Sequence, residues 1–114
     1  MKAPQKKTGA ERPDADLLRA AYDGDLALVR TALEDGTPVE TSDERSGLTA
    51  LHIAVGTNNL ALTRHLVEDW RAPFGPDKFG RWPTLIAAES QVDDALSDYI
   101  VQQEALYLDQ NRST

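Results

Sequence analysis

The stretch GLTALHIAVGTNNL, residues 47–60, places one histidine, His52, inside an otherwise apolar run. These residues leave two interpretations open: His52 takes part in catalysis or metal binding, or it stabilises the fold. The chain has only one other histidine, His65, and no cysteine. The role of His52 therefore decides whether a histidine-based site is a serious candidate.

The pattern around His52 occurs three times in the chain. Segments that begin at Ala15, Thr49 and Trp82 align without a gap, with starts 34 and 33 residues apart. Each contains a short predicted helix with a pair of small residues, a break, and a second predicted helix whose apolar residues recur at helical spacing. One such unit cannot bury its own apolar face, whereas stacked units can. The repetition therefore predicts an all-α fold of about three helix-turn-helix units.

The break between the two predicted helices falls on Gly24, Asn58 and Gln91. Gly and Asn adopt a left-handed backbone at little cost, and Gln does not. Asp25 follows the first break directly. We expect it to cap the next helix rather than to bind calcium, because the further ligands of a calcium loop are missing.

The sequence GLTALHIAV resembles the G-x-T-P-L-H-x-A-A pattern of the ankyrin repeat, with Gly47, Thr49, Leu51, His52 and Ala54 at the matching positions. The remainder of the family pattern is similar to AAYDGDLALVRTALEDG in the first unit, and GRWPTLIAA in the third unit matches its start again. The resemblance covers about residues 13 to 105. It implies an ankyrin-repeat solenoid of about three repeats, in a domain that spans residues 13–108.

In the ankyrin family, the Thr and His of this pattern hold the turn that leads into the first helix. The resemblance therefore implies that His52 pairs with Thr49 and with backbone groups. A catalytic or metal-binding His52 is the alternative. His65 lies on a second helix among mostly polar neighbours, so we expect it to be solvated. Motifs of nucleotide-binding, zinc-protease and serine-hydrolase sites are absent from the sequence, and we expect no enzymatic activity, no cofactor and no bound metal.

Two tryptophans depart from the family pattern. Trp70 stands where a Gly normally closes the second helix, and Trp tolerates positive φ poorly, so we expect the following loop to leave its usual path. Trp82 and Leu85 occupy the Thr and His positions of the third unit. The hydrogen bonds that hold the turn cannot form there, and we expect packing of the indole to replace them.

The segment WRAPFGPDKFGRW, residues 70–82, contains four of the seven aromatic residues of the chain, together with three cations and two prolines. Trp and Arg are frequent anchors of protein interfaces, and prolines stiffen a loop before binding. We expect Trp70 and Trp82 to cover the short core. We expect Phe79 and Arg81 to lie exposed and to contact a partner.

Charge is unevenly distributed along the chain. Residues 1–12 carry four basic groups and one acidic group, a net charge of +3, whereas the remainder carries eight basic and eighteen acidic groups, a net charge of −10. We expect residues 1–12 to form a disordered basic arm and residues 109–114 a flexible tail. An acidic body repels phosphate backbones, which argues against nucleic acid and favours a protein partner with a basic surface. Since neither a signal peptide nor an apolar run of membrane-spanning length is recognisable, we expect a cytoplasmic protein without membrane contact.

The resemblance implies a protein-binding module that blocks or scaffolds a partner. Ankyrin proteins often act as stoichiometric inhibitors, so an antitoxin-like or immunity-like role is one expectation. The alternative is a structural role, in which the aromatic loop mediates self-association into a homodimer. The family binds partners through its concave side, made from turn tips and the exposed ends of first helices. Carried over residue by residue, this side comprises Tyr22, Asp23, Arg45, Ser46, Leu48, Thr57, Lys78, Phe79, Arg81, Glu89 and Ser90.

Overall fold

The computed structural model describes residues 13–112, which fold into consecutive helical pairs. The helices are α1 (Pro13–Tyr22), α2 (Leu26–Glu34), α3 (Ala50–Gly56), α4 (Leu60–Arg64, continued by a π-helical turn, His65–Asp69), α5 (Pro83–Ser90) and α6 (Asp94–Gln110). The two helices of each pair pack against each other, and the first helices form a row in which α1 packs on α3 and α3 on α5. Within the described residues no strand occurs, only an isolated antiparallel bridge between Ser42 and Thr49. The predicted all-α fold of stacked helix-turn-helix units is confirmed, while the predicted basic arm, residues 1–12, lies outside the described residues.

The hydrophobic core lies between the row of first helices and the second helices behind it. Ala20, Ala21, Ala54 and Ala87 are buried, and their small side chains let neighbouring helices approach closely. The second helices contribute larger buried side chains, namely Val29, Leu33, Leu62, Leu66, Leu96 and Ile100. Burial of each such side chain contributes roughly 1.5–3 kcal/mol, so stacking of the repeats stabilises every helix.

The turn inside each pair uses one residue with a left-handed backbone. The φ angle is 70° at Gly24, 61° at Asn58 and 54° at Gln91. A non-glycine residue pays roughly 1–2 kcal/mol for this conformation. The third turn is tied to the second, because the N–H of Asp93 donates to Oδ1 of Asn58 at 2.9 Å. The unfavourable Gln is therefore held in place by the stacking of the repeats.

Two of the second helices begin with a capping side chain. The N–H of Leu28 donates to Oδ1 of Asp25, and the N–H of Leu62 donates to Oδ1 of Asn59, both at 3.1 Å. Such a cap satisfies one of the free N–H groups at a helix start and stabilises the helix by about 1 kcal/mol. The predicted capping role of Asp25 is confirmed.

The third pair enters α5 without a local side-chain cap, as expected from Trp82 at that position. The N–H of Thr84 instead donates to Oε1 of Glu104 on α6, at 3.0 Å. The indole of Trp82 packs against the core and is partly buried. A carboxylate from the neighbouring helix thus replaces the missing cap.

The second pair ends differently from the first because of Trp70. The π-helical turn adds one residue, so Trp70 keeps a negative φ of −113° and the left-handed conformation falls on Arg71, with φ 52°. The closing hydrogen bond from the N–H of Ala72 to the oxygen of Leu66 spans six residues. The loop leaves the usual path, as predicted, and the inserted residue removes the strain that Trp would otherwise carry.

The last helix, α6, is the longest and continues to Gln110. The predicted domain end at residue 108 falls inside it, and the predicted tail, residues 109–114, begins within it. No helix among residues 13–112 combines the length and the apolar character that a membrane crossing requires.

Candidate functional site

The turn tip before α3 is organised by Asp43. Its Oδ1 accepts hydrogen bonds from the N–H groups of Arg45 at 2.8 Å and Ser46 at 3.0 Å. These bonds, first that from Ser46, hold the pKa of Asp43 below its ordinary value. Gly47 closes the turn with φ 77°, and its N–H donates to the oxygen of Asp43 at 2.7 Å. The backbone N–H of Ser46 is thus used in the hydrogen bonds of the turn, while Arg45 is exposed.

The turn tip before α5 is organised by Asp77, whose side chain is fully buried. Its Oδ1 accepts from the N–H groups of Phe79 at 2.8 Å and Arg81 at 2.9 Å, and its Oδ2 accepts from Nε of Arg81 at 2.8 Å. Burial by itself would raise the pKa of Asp77, but these donors outweigh it and the pKa lies below its ordinary value. The Arg81 side chain is 32% exposed and bound to Asp77, so it is less exposed than predicted.

The two turn tips pack directly on each other. The N–H of Lys78 donates to the backbone oxygen of Ser46 at 2.8 Å, and Nζ of Lys78 donates to the backbone oxygen of Glu44. A Cβ atom added to Gly47 would lie 2.7 Å from the nitrogen of Lys78, closer than atoms can approach without a shift. The contact therefore requires glycine at position 47 for space as well as for its φ.

Between the tips and the first helices, His52 joins two repeats. Its Nδ1 accepts the N–H of Thr49 at 3.1 Å, so the ring proton lies on Nε2, which donates to the backbone oxygens of Gly75 at 3.0 Å and Arg81 at 3.2 Å. The side chain is buried, and desolvation lowers its pKa despite these carbonyl contacts. The predicted pairing of His52 with Thr49 and with backbone groups is confirmed, and both ring nitrogens are engaged in the fold.

A groove of about 220 Å³ opens above His52 on the side of the first helices. It is lined by Tyr22, Leu48, His52, Ile53, Gly56, Thr57, Arg81, Ile86 and Ser90. Five predicted site residues thus come together, namely Tyr22, Leu48, Thr57, Arg81 and Ser90. Tyr22 is 56% exposed, so its ring forms an accessible wall of this groove. We call this site the concave groove.

Two further predicted residues, Phe79 and Glu89, contact Arg81 at the edge of the concave groove. The guanidinium carbon of Arg81 lies 5.5 Å from the ring centroid of Phe79, and one of its terminal nitrogens lies 3.4 Å from Oε1 of Glu89. Phe79 is 70% exposed, as predicted, and is the most exposed large apolar side chain of the described residues. Arg81 therefore orients a free aromatic ring beside the groove.

Part of the concave groove, including Tyr22, Leu48 and His52, lies in a segment that matches a known protein family. Residues 17–67 match the family model of ankyrin repeats (many copies). These residues are ankyrin repeats. The matched segment includes the turn between Thr49 and His52, and the third helical pair continues the same arrangement beyond it. No curated protein matches the sequence. Ankyrin repeats are generally modules of protein–protein interaction, which makes the concave groove the leading candidate site.

The other predicted site residues lie apart from the concave groove. Arg45 and Lys78 are exposed on the stacked turn tips. Asp23 lines a different groove of about 320 Å³ beside α1 and α2. A third groove, of about 300 Å³, lies between the loop after α4 and the end of α6 and contains none of the predicted residues.

His65 is buried and not solvated, which corrects the sequence-based expectation. Its Nδ1 lies 2.7 Å from Oδ2 of Asp69, and its Nε2 accepts the indole N–H of Trp70 at 3.2 Å. Asp69 follows His65 at the ordinary i,i+4 spacing of a helix, which is a signal visible in the sequence, whereas the π-helical turn brings Trp70 to the ring. Across residues 13–112, the His, Asp and Glu side chains form no group of three or more that could hold a metal ion.

Proposed function

We propose that this ankyrin-repeat protein binds a protein partner in the concave groove and at the adjacent ring of Phe79. The observation that carries the proposal is the pair of exposed aromatic side chains, Tyr22 at 56% and Phe79 at 70%, beside a floor that includes Ile53 and Ile86. Exposed aromatic residues next to an apolar depression are typical anchors of protein interfaces.

The size of the concave groove supports a protein partner over a small ligand. Its volume of about 220 Å³ lies below the roughly 300–1,000 Å³ that is usual for small-molecule sites. A single protruding side chain of a partner fits such a depression, while the rest of the partner contacts the exposed turn tips. His52 cannot contribute chemistry without giving up the bonds that hold Gly75 and Arg81.

Charge supports a partner with a basic surface. Residues 13–114 carry a net charge of −10, and Asp23 and Glu89 are exposed on the helical side. Arg45 and Lys78 are exposed on the turn tips, so the local charges around the groove are mixed. The net charge accelerates the approach of a basic protein, and the local charges orient it. We propose that binding blocks the partner, in the manner of a stoichiometric inhibitor or of an antitoxin or immunity protein, in the cytoplasm.

Self-association through the aromatic loop finds little support. Phe74 is buried, and Trp70 and Trp82 pack on the core, which leaves Phe79 as the exposed aromatic of residues 70–82. A single ring offers too small an apolar area for a stable interface.

Site-specific photo-cross-linking in cells of the source organism tests the proposal. A photoreactive phenylalanine analogue replaces Tyr22 in one variant and Leu28 in the control. Both side chains are 56% exposed, but Leu28 lines the groove beside α1 and α2 instead of the concave groove. We expect a discrete cross-linked protein from position 22 and none from position 28. Equal cross-linking at both positions would show that the concave groove is not the binding site.

A further inference from the structure

The groove of about 320 Å³ beside α1 and α2 lies on a side of the first repeat whose counterpart in the second repeat is buried. Three of its lining residues and their counterparts 34 positions later are the pairs Leu28 and Leu62, Thr31 and His65, and Ala32 and Leu66. The first member of each pair is exposed or partly exposed, whereas the second is buried. Both repeats are followed by another repeat, but within residues 13–112 only the second is preceded by one. The groove therefore lies on the side that a preceding element covers.

The groove beside α1 and α2 combines apolar and acidic side chains. Leu28, which is 56% exposed, contributes most of the accessible apolar surface of a single side chain. Three acids and one base line the groove, a net charge of −2, and all four are exposed: Asp16, Asp23, Asp35 and Arg19. In the second repeat, Ala50 stands at the position of Asp16, and Thr57 at the next of these positions. The acidic character is therefore stronger on this outer side than inside the stack, and it suits a basic segment of chain.

We propose that residues 1–12, which precede the described part of the chain, bind in the groove beside α1 and α2. They carry four basic groups and one acidic group, a net charge of +3, opposite in sign to that of the groove. The segment also contains small or apolar residues that can contact Leu28, namely Met1, Ala3, Pro4 and Ala10. Since it is joined directly to α1, its effective concentration at the groove is on the order of millimolar, which favours it over a separate basic protein.

The segment is long enough to follow the whole groove. From Pro13 to Asp23, at the far end of the groove, the chain rises roughly 15 Å along α1. Lys6 and Lys7 precede Pro13 by seven and six residues, and six extended residues span roughly 20 Å. A chain that turns back at Pro13 can therefore carry both lysines as far as Asp23. No residue lines both this groove and the concave groove, so docking of the segment and the proposed partner binding are independent of each other.

Paramagnetic relaxation enhancement tests the docking of the segment. The chain contains no cysteine, so Gln5→Cys accepts a single nitroxide label next to the two lysines. The label weakens the NMR signals of backbone amides that come close to it. We expect the amide signals of Leu28 and Thr31 to be at least about twofold weaker than in the same labelled chain with Lys6→Glu and Lys7→Glu, because the reversed charges repel the acidic groove. The difference should vanish in roughly 1 M salt, where the Debye length is about 3 Å.

Exchange of an acid for a base locates the contact. Asp23→Lys should let the amide signals of Leu28 and Thr31 recover as they do in the glutamate variant. Asp98→Lys is the matched control, because it changes the net charge equally and Asp98 is also exposed, but it lies on α6. This control should leave the two signals weak. Equal recovery in both lysine variants would indicate a general attraction to the acidic body and would overturn the groove as the binding site.

Two further outcomes would also overturn the docking. If the labelled chain weakens the signals of Leu28 and Thr31 no more than its glutamate variant does, only the covalent link to α1 keeps the segment nearby. The second outcome is found by mixing the labelled chain with an isotope-enriched chain that carries no nitroxide. If the signals of the enriched chain weaken, the segment binds a second copy instead of its own groove.

Discussion

The Nε2 atom of His52 lies 3.2 Å from the backbone oxygen of Arg81, in the next repeat. The same ring accepts the N–H of Thr49, three residues before it, through Nδ1. His52 therefore connects the start of its own helix to the turn tip that carries Phe79. The orientation of the proposed binding residues therefore depends on a histidine whose two ring nitrogens are both engaged in the fold.

Replacing His52 by Ala should lower the free energy of unfolding by about 1–3 kcal/mol, because it leaves the part-buried N–H of Thr49 and the carbonyl of Gly75 without partners, while the carbonyl of Arg81 keeps only the N–H of Asp77. Chemical denaturation measures this loss. Thr49→Val is the comparison: it removes the Thr49 hydroxyl, which caps α3 by accepting the N–H of His52 at 3.4 Å and lies 3.0 Å from Nδ1, but it keeps the bonds from Nε2 to Gly75 and Arg81. Thr49→Val should lower the free energy of unfolding by less than His52→Ala does. An equal loss for both variants would contradict the conclusion that His52 joins two repeats.

Stability should decrease as the pH falls below 6.5, the ordinary pKa of histidine. The folded protein favours neutral His52 and has the lower pKa, so the unfolded chain binds more protons in this range. The contribution is fully present above pH 6.5 and is lost progressively as the pH approaches the lowered pKa of the folded state. Unfolding free energies of the native protein and of His52→Gln across this range measure it. The variant should lose less stability on acidification, and parallel curves would show that another group controls the effect.

Gly47→Ala should destabilise the protein more than Gly80→Ala. The two glycines have nearly the same φ, 77° and 79°, so both variants lose roughly 1–2 kcal/mol to the left-handed backbone. A Cβ at position 80 has no atom within 4 Å, whereas a Cβ at position 47 meets the backbone of Lys78. Overpacking there should add about 1–3 kcal/mol. Thermal melting of both variants checks the difference, and equal melting temperatures would mean that the turn tips separate easily.

Phe79→Ala and Arg81→Ala should separate binding from folding. The Phe79 ring is largely exposed, so its loss should change stability by no more than about 0.5 kcal/mol. In the proposed interface it should weaken partner binding by about 2 kcal/mol or more. Arg81→Ala should instead lower the melting temperature, because it leaves the buried carboxylate of Asp77 without its cation. Affinity and melting measurements on both variants test this, and normal binding by Phe79→Ala would move the interface to Tyr22 and Leu48.

The repeat architecture and the pairing of His52 with Thr49 could be predicted because they depend on contacts close in sequence. The small pairs, the left-handed turns and the caps at Asp25 and Asn59 involve residues at most five positions apart. Spacing along the chain is enough to recognise such contacts. Carry-over from the ankyrin resemblance found Tyr22, Leu48, Thr57 and Ser90, which the structure brings into one groove.

The sequence alone determined the three helical units, their turns and the exposure of Phe79 at a turn tip. Tertiary structure decided that Arg81 is bound to Asp77, that His65 is buried under Trp70, and that Glu104 caps α5. Glu104 and Thr84 are twenty positions apart in the sequence. The Arg81–Asp77 pair depends on a buried turn, and the contact of Trp70 with His65 depends on the inserted π-helical residue. Whether such a side chain is free or engaged depends on how the repeats stack, because a polar group is buried only where a neighbouring element supplies its partner.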